Sequence, residues 1–315
     1  MSKKIILNCI KIGVCLLILT TLLLRTAYVV RDKQYTSVQD NFRQLPKDSV
    51  DVVFIGQSHC FCSIDPNLLA DEYGIESFML ATSAQTVPMS YYAAKEAIEC
   101  QHPKKIVMEV AYCANDFRTV EDGMTHAFFD GMPNGKAKKE AIKDLIDKED
   151  RIYYYLNFGM YHTRWKDLTE DDYKSNLTMK RGEYYSEDVF PNWDYPVVAA
   201  DEKKNMPEEM ERYMDLLVEL CKEENVELIL FCAPFGIQDD FDDRREDLKE
   251  RQRIFNYIED YAKEKNVRYY NLFNELDSIY EYGLNDETDW KDSQHLNASG
   301  QKKLTRYMAE KGYFD

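Results

Sequence analysis

Asp51-Val52-Val53-Phe54-Ile55-Gly56-Gln57-Ser58-His59 is the stretch that decides how this chain is read. After one charge comes an unbroken apolar run, the pattern of a strand buried on both faces. Gly56 then permits a tight exit from the strand. Ser58 lands in the turn at the strand's carboxyl end. Four further runs look alike: Ile75 to Leu80, Lys105 to Ala111, Val226 to Cys232 and Val267 to Phe273. Helical stretches separate them. Pro66 to Tyr73 is short, and Met89 to Cys100 lies between Pro88 and Pro103. Met210, Tyr213, Met214, Leu217 and Cys221 recur at helical spacing. Asp240 to Lys265 is long and charged, and Asn297 to Lys311 closes the chain. Strands alternating with helices predict an α/β fold. It would be a three-layer sandwich with a central, mostly parallel five-stranded sheet. Function in such sheets collects at the carboxyl ends of the strands.

Outside this body the chain changes character. Lys3 and Lys4 precede a mostly apolar stretch, Ile5 to Leu24, broken by Asn8 and Lys11. Its length approaches the roughly 20 apolar residues of a membrane span. A cleaved signal peptide and an uncleaved signal anchor both fit. No small-x-small cleavage site follows Leu24, which favours the anchor. Lysines on the N-terminal side place that end in the cytoplasm and the body outside; Arg25 and Arg31 pull the other way. The expected organisation is an anchor at 5–24, a polar tether at 25–50 and a body at 51–315. Within the body, 112–204 lacks a regular α/β signal. It reads as an insertion over one side of the sheet, rich in aromatics such as Tyr153-Tyr154-Tyr155, Trp165 and Trp193.

Composition narrows the partners. The 315 residues carry a formal net charge of −17, which argues against nucleic acid, since phosphate binding needs a cationic stripe. The eight cysteines include Cys60 and Cys62, a spacing of neither a zinc knuckle nor a redox pair. Cys9 and Cys15 lie in the anchor, and most of the others read as buried small apolar side chains. No His-Glu-x-x-His, Cys-x-x-Cys or phosphate loop occurs, so no metal or cofactor is expected. His126 and His162 lack ligand spacing. Asn176-Leu177-Thr178 fits a glycosylation sequon, a motif that often arises by chance.

Ser58 in its turn is either an N-cap serine or a nucleophile near a helix's positive end. Asp289-Trp290-Lys291-Asp292-Ser293-Gln294-His295-Leu296-Asn297, between the last strand and the last helix, bears on that choice. A serine hydroxyl needs a neighbouring base. Histidine changes charge near neutral pH, and a carboxylate must hold its tautomer. Asp292 and His295 supply both from one loop, although a loop histidine that merely caps the helix would look alike.

Gly-Gln-Ser-His after the first strand and Asp-Ser-Gln-His before the last helix resemble the SGNH/GDSL hydrolase superfamily. The chain is similar above all to its membrane-anchored, extracytoplasmic members in Gram-positive bacteria. The likeness covers most of 51–312, the insertion excepted. It implies an SGNH/flavodoxin-like sandwich, with Ser58 as nucleophile, His295 as general base and Asp292 as its orienter. It also implies acyl transfer to or from envelope glycopolymers, with an ester substrate; the anchor alone suggests a membrane-bound acyl-donor partner. Gln57 departs from the family's Gly-Asp-Ser. Where the family offers a glycine N–H to the oxyanion, this chain has Ser83, Ala84 and Gln85. Asn115 is the nearest match to the family's asparagine. His59 lines the pocket or helps the turn. A noncatalytic envelope-assembly or carbohydrate-binding protein on the same fold is the rival reading, and a small-ligand binding domain a third.

Overall fold

The computed structural model describes residues 3–31, 33–114, 122–132, 135–155, 161, 163–173, 179–191, 201–235 and 242–315. Asn115, His162, Trp193 and the 176–178 sequon lie outside them.

Two helices open the chain, α1 (Lys3–Val30) and α2 (Lys33–Gln44). The body begins with β1 (Val52–Ile55), α3 (Ser58–Ser63), α4 (Pro66–Tyr73), β2 (Ser77–Met79), α5 (Val87–Gln101) and β3 (Lys105–Glu109). A 3-10 turn, Ala111–Ala114, follows. Next come α6 (Asp122–Gly131), α7 (Lys136–Leu145) and α8 (Arg151–Tyr155). Then α9 (Glu208–Glu223), β4 (Glu227–Cys232), α10 (Asp242–Lys265), β5 (Arg268–Asn271), α11 (Leu276–Tyr282) and α12 (Ala298–Glu310) complete the order.

The five strands form one sheet in the order β2-β1-β3-β4-β5, every pair parallel. The strands are short, and all but the edge strand β5 (Arg-Tyr-Tyr-Asn) are mainly apolar, so their two faces feed two cores. Val53, Ile55, Ile106, Met108, Leu228 and Leu230 face α5, α9 and α10. Val52, Phe54, Val107, Ile229 and Phe231 face α3, α4 and α12. The chain steps from β1 outward to β2, then returns to place β3 on the other side of β1. That reversal opens a crevice at the carboxyl ends of β1 and β3, where open α/β sheets bind ligands.

Three expectations change. The stretch expected as a tether, 25–50, instead holds the end of α1 and all of α2. Phe42 of α2 is fully buried, and Val38 and Leu45 pack on the same core. The insertion is more regular than its sequence implies. Its α6 and α7 bury Phe128, Phe129, Ala141 and Ile142 in the α5 core. It does not stay on one side, because Tyr184 packs in the opposite core and Arg181 O accepts from Met79 N at 2.9 Å. Strand β2 starts later than its apolar run. Ile75 N–H donates to Leu69 O at 3.0 Å, closing α4 behind Gly74 (φ 68°) instead of joining the sheet.

α1 is long and apolar enough to cross a membrane, and none of its apolar window is buried within the chain. Its last turn meets the body. Val30 is buried. Arg164 donates from Nη1 to the Val30 and Arg31 carbonyls at 3.0 and 2.8 Å, and from Nη2 to Asp172 at 2.6 Å. A guanidinium nitrogen shared by two terminal carbonyls is a favourable cap for the negative end of a helix.

Candidate active site

Gly56 leaves β1 at φ +134°, and a Cβ there would lie 3.0 Å from Glu109 Cβ and 3.1 Å from Glu109 O. Only glycine lets β1 turn this close to β3. Gln57 caps α3 in extended conformation, and Ser58 is the first residue of that helix. Its N–H belongs to a first turn without intrahelical acceptors. Ser58 is therefore oriented by the sheet end beneath it.

The second part arrives from 237 residues away. Trp290 is fully buried and bridges to Leu296, and Lys291 N–H donates to His295 O at 3.0 Å. Between these anchors Asp292 and His295 are held in a tight loop. Asn297 caps α12, its Oδ1 accepting from Ser299 and Gly300 N–H, and fixes the loop's exit. The result is a chain of contacts: Ser58 Oγ lies 2.7 Å from His295 Nε2. His295 Nδ1 lies 2.9 and 3.0 Å from the two Asp292 oxygens. Gln294 and His295 backbone N–H groups each donate to Asp292 Oδ1 at 2.8 Å. Partial burial pushes the Asp292 carboxyl up. The His295 imidazole and the two N–H donors outweigh it and hold the group well below the usual carboxylate range. An ionised Asp292 keeps the proton on Nδ1 and leaves Nε2 free to accept from Ser58.

The remaining predicted residues fare unequally. Ala84 takes φ +53°, a left-handed conformation that favours glycine. Its loop is tied to the Ser58 turn, because Thr82 N–H donates to Gly56 O at 3.2 Å. Gln85 is buried, but its side chain braces that loop. Oε1 accepts from Thr82 N–H and Oγ1, both at 3.1 Å, and Nε2 donates to Ser90 Oγ at 3.1 Å. Both ends of its amide are committed to the loop. The cysteines match their reading: all eight are free, and Cys60, Cys62, Cys113, Cys221 and Cys232 are buried.

Three residues matter more than their sequence signal implied. His59 is buried, its ring 4.5 Å from the His295 ring and 4.0 Å from Phe235 between centroids. Burial, then the neighbouring His295, pushes its imidazole well below its ordinary value, so it is neutral. Gln57 is buried, and its Oε1 accepts from Ser58 Oγ at 2.7 Å. Its Nε2 contacts His59 Nδ1 and donates to Glu109 Oε2 at 3.2 Å. Glu109, the last residue of β3, is 1% exposed, and burial pushes its carboxyl up to about 7. Its sequence signal was a lone charge inside Ile-Val-Met-Glu-Val-Ala.

Among the described residues no group of three or more His, Cys, Asp or Glu is arranged to hold a metal. What the site offers is an oriented hydroxyl, a base within reach of its proton, and first-turn N–H donors beside it.

No family model and no curated protein matches the chain. Solved structures similar to it include a GDSL-like lipase from Bacteroides thetaiotaomicron, at 15% identity and TM-score 0.39 over 88% of this chain and 98% of the other. An acetylxylan esterase from Geobacillus stearothermophilus shows 13% identity and TM-score 0.41, over 85% and 96%. A psychrotrophic esterase from Pseudoalteromonas shows 14% and 0.39, over 84% and 98%. At such values the likeness carries no argument about chemistry, which rests on the geometry of the site itself.

Proposed function

We propose that this chain is a serine esterase or O-acyltransferase of the SGNH/GDSL kind. The observation that carries the reading is the continuous contact from Ser58 Oγ through His295 to Asp292. Ser58 Oγ attacks an ester carbonyl while His295 Nε2 takes the hydroxyl proton. The new C–O bond forms as the carbonyl π electrons move to oxygen. When the intermediate collapses, the leaving alkoxide takes the proton from His295, and an acyl group remains on Ser58. Water or a sugar hydroxyl then attacks this acyl-enzyme, His295 again serving as base and returning the proton to Ser58. The N–H of Ser58 is the nearest oxyanion donor, with Ala84 on the adjoining loop as the second.

The membrane-length α1, mounted directly on the body, supports a single-pass arrangement with the site outside the cytoplasm. Acylated envelope glycans are the substrate class that fits this placement, and a membrane-bound protein is the fitting acyl donor. The test is labelling by a fluorophosphonate probe, which reacts only with an activated serine. The wild type should label, and Ser58→Ala and His295→Ala should not. A folded wild type that stays unlabelled would turn the reading toward a noncatalytic envelope protein on the same fold.

A further inference from the structure

Ser58 has one hydroxyl proton and two acceptors. Oγ lies 2.7 Å from His295 Nε2 and 2.7 Å from Gln57 Oε1. A proton held by Gln57 is not offered to the base. The Gln57 carbonyl therefore competes with the step that activates the nucleophile. This argument rests on reading Ser58 as that nucleophile.

The orientation of the Gln57 amide is set from below. Its Nε2 donates to Glu109 Oε2 at 3.2 Å. The other Glu109 oxygen is occupied, Oε1 accepting from Ala111 N–H at 3.0 Å and Ala233 N–H at 3.4 Å. An ionised carboxylate accepts and cannot donate. It thus requires the NH2 of Gln57 to face it and the carbonyl to face Ser58. A proton on Oε2 reverses the requirement. Glu109 then donates and asks for the carbonyl, so the amide turns over. Its NH2 now donates to Ser58 Oγ, and the serine proton has His295 as its acceptor. His59 accommodates either state, because its Nδ1 faces the amide and a neutral imidazole carries its proton on either nitrogen. Its buried Nε2 has no hydrogen-bond partner among the described residues, so neither tautomer breaks a bond there.

We propose that Glu109 is a positioning residue that acts through Gln57: a proton on Glu109 turns the amide and releases the Ser58 proton to His295.

The surroundings agree. Arg251 of α10 is the cation that faces Glu109, and it favours the ionised form. Cys60 of α3, Cys113 of the 3-10 turn, Cys232 of β4 and Tyr269 of β5 also face it. Burial drives all four upward, so they remain neutral where Glu109 titrates. Burial of Glu109 itself outweighs Arg251 and its three donors and places its titration at about 7.

Glu109→Gln separates this role from a structural one. The substituted side chain must keep its carbonyl on Ala111 and Ala233 N–H, so its NH2 faces Gln57 at every pH. That locks Gln57 in the turned state. The rate of fluorophosphonate inactivation of the full chain in detergent would be followed from about pH 5.5 to about pH 9. In the wild type we expect an alkaline fall of about fivefold through the Glu109 titration, the worth of one redirected hydrogen bond. In Glu109→Gln that fall should vanish, leaving the variant about fivefold faster than wild type above pH 8. Gln57→Met, which removes the competing acceptor, should also lack the fall, and it serves if Glu109→Gln does not fold. Variant profiles that keep the wild-type shape, scaled up or down, would overturn the proposal and leave Ser58 as nucleophile. A wild type that never labels would instead remove the nucleophile reading, and this proposal with it.

Discussion

Asp292→Asn is the substitution whose outcome follows most directly from the geometry. Oδ1 of Asp292 accepts two backbone N–H groups, from Gln294 and His295, at 2.8 Å each. An amide placed there must keep its carbonyl on those donors. Its NH2 then takes the Oδ2 position, 2.9 Å from His295 Nδ1. Two donors cannot face each other, and the carbonyl at Oδ1, 3.0 Å from Nδ1, already accepts two N–H groups, so Nδ1 is driven to become the acceptor. The imidazole proton moves to Nε2, the nitrogen 2.7 Å from Ser58 Oγ. A protonated Nε2 cannot accept the serine proton, and general-base catalysis is lost while every heavy atom stays in place. Loss of the correct tautomer costs about 10⁴ in rate, roughly 5 kcal/mol of transition-state stabilisation. The assay is the second-order rate of fluorophosphonate inactivation, which needs no knowledge of the natural ester. Folding should be unchanged, because the side chain is partly exposed and both backbone bonds survive. A loss below about tenfold, in a folded variant, would refute the assignment of Asp292 as the group that sets the His295 tautomer.

Three other outcomes are expected. Glu109 has its carboxyl raised from 4.5 to about 7 by burial, so its contribution to stability is full below about 4.5 and is lost as the pH rises through about 7. The shift is worth roughly 3 kcal/mol. Urea titrations of wild type and Glu109→Gln should therefore differ by that much more at alkaline than at acid pH, in favour of the variant; a difference independent of pH counts against the burial argument. Gly56→Ala must place a Cβ 3.0 Å from Glu109 Cβ at a φ of +134°. It should cost roughly 2 to 4 kcal/mol and lower the melting temperature by about 5 to 10 °C. An unchanged midpoint would show that the turn relaxes freely. Arg164→Ala removes the donors on the Val30 and Arg31 carbonyls. Amide exchange at residues 27–31 should rise by about tenfold while probe labelling of Ser58 stays the same. Unaltered exchange would mean the joint is held by packing alone.

The sheet was legible because its central parallel strands are apolar on both faces and are punctuated by Gly56, Pro88 and Pro103. The Ser58, Asp292 and His295 group was legible because each stands at a sheet end in a short polar block. Other features were hidden for identifiable reasons. α2 carries Val38 and Phe42 at helical spacing, with Leu45 just past its end, yet its polar majority masks these three contacts with the core. Strand β2 was overread, because the C-terminal closure of α4 claims Ile75 first. Glu109 looked like a strand residue, since nothing in a linear pattern says that Gly56 passes it so closely that a Cβ there would lie 3.0 Å from Glu109 Cβ. Gln57 registered only as a departure from a motif; its partners lie on β3 and α3 and exist only once the strands pair. Ala84 conceals a glycine-like backbone behind a residue that rarely adopts one.

The joint between α1 and α2 has a mechanical consequence. A flexible polar linker over 25–50 would have let the body roam, with a root-mean-square reach of about 28 Å. Instead α1 runs to Val30 and α2 begins at Lys33, and the Arg164 guanidinium clasps the end of α1 to the body. With α1 across a bilayer, the height of Ser58 above the lipid becomes a constant of the fold. Rotation about the α1 axis carries the serine round a ring instead of through a volume. On the proposed function, a site so mounted does not search for its substrate. A polymer must bring its ester to that one height, so the stiffness and attachment point of the substrate chain set how many of its units are ever within reach.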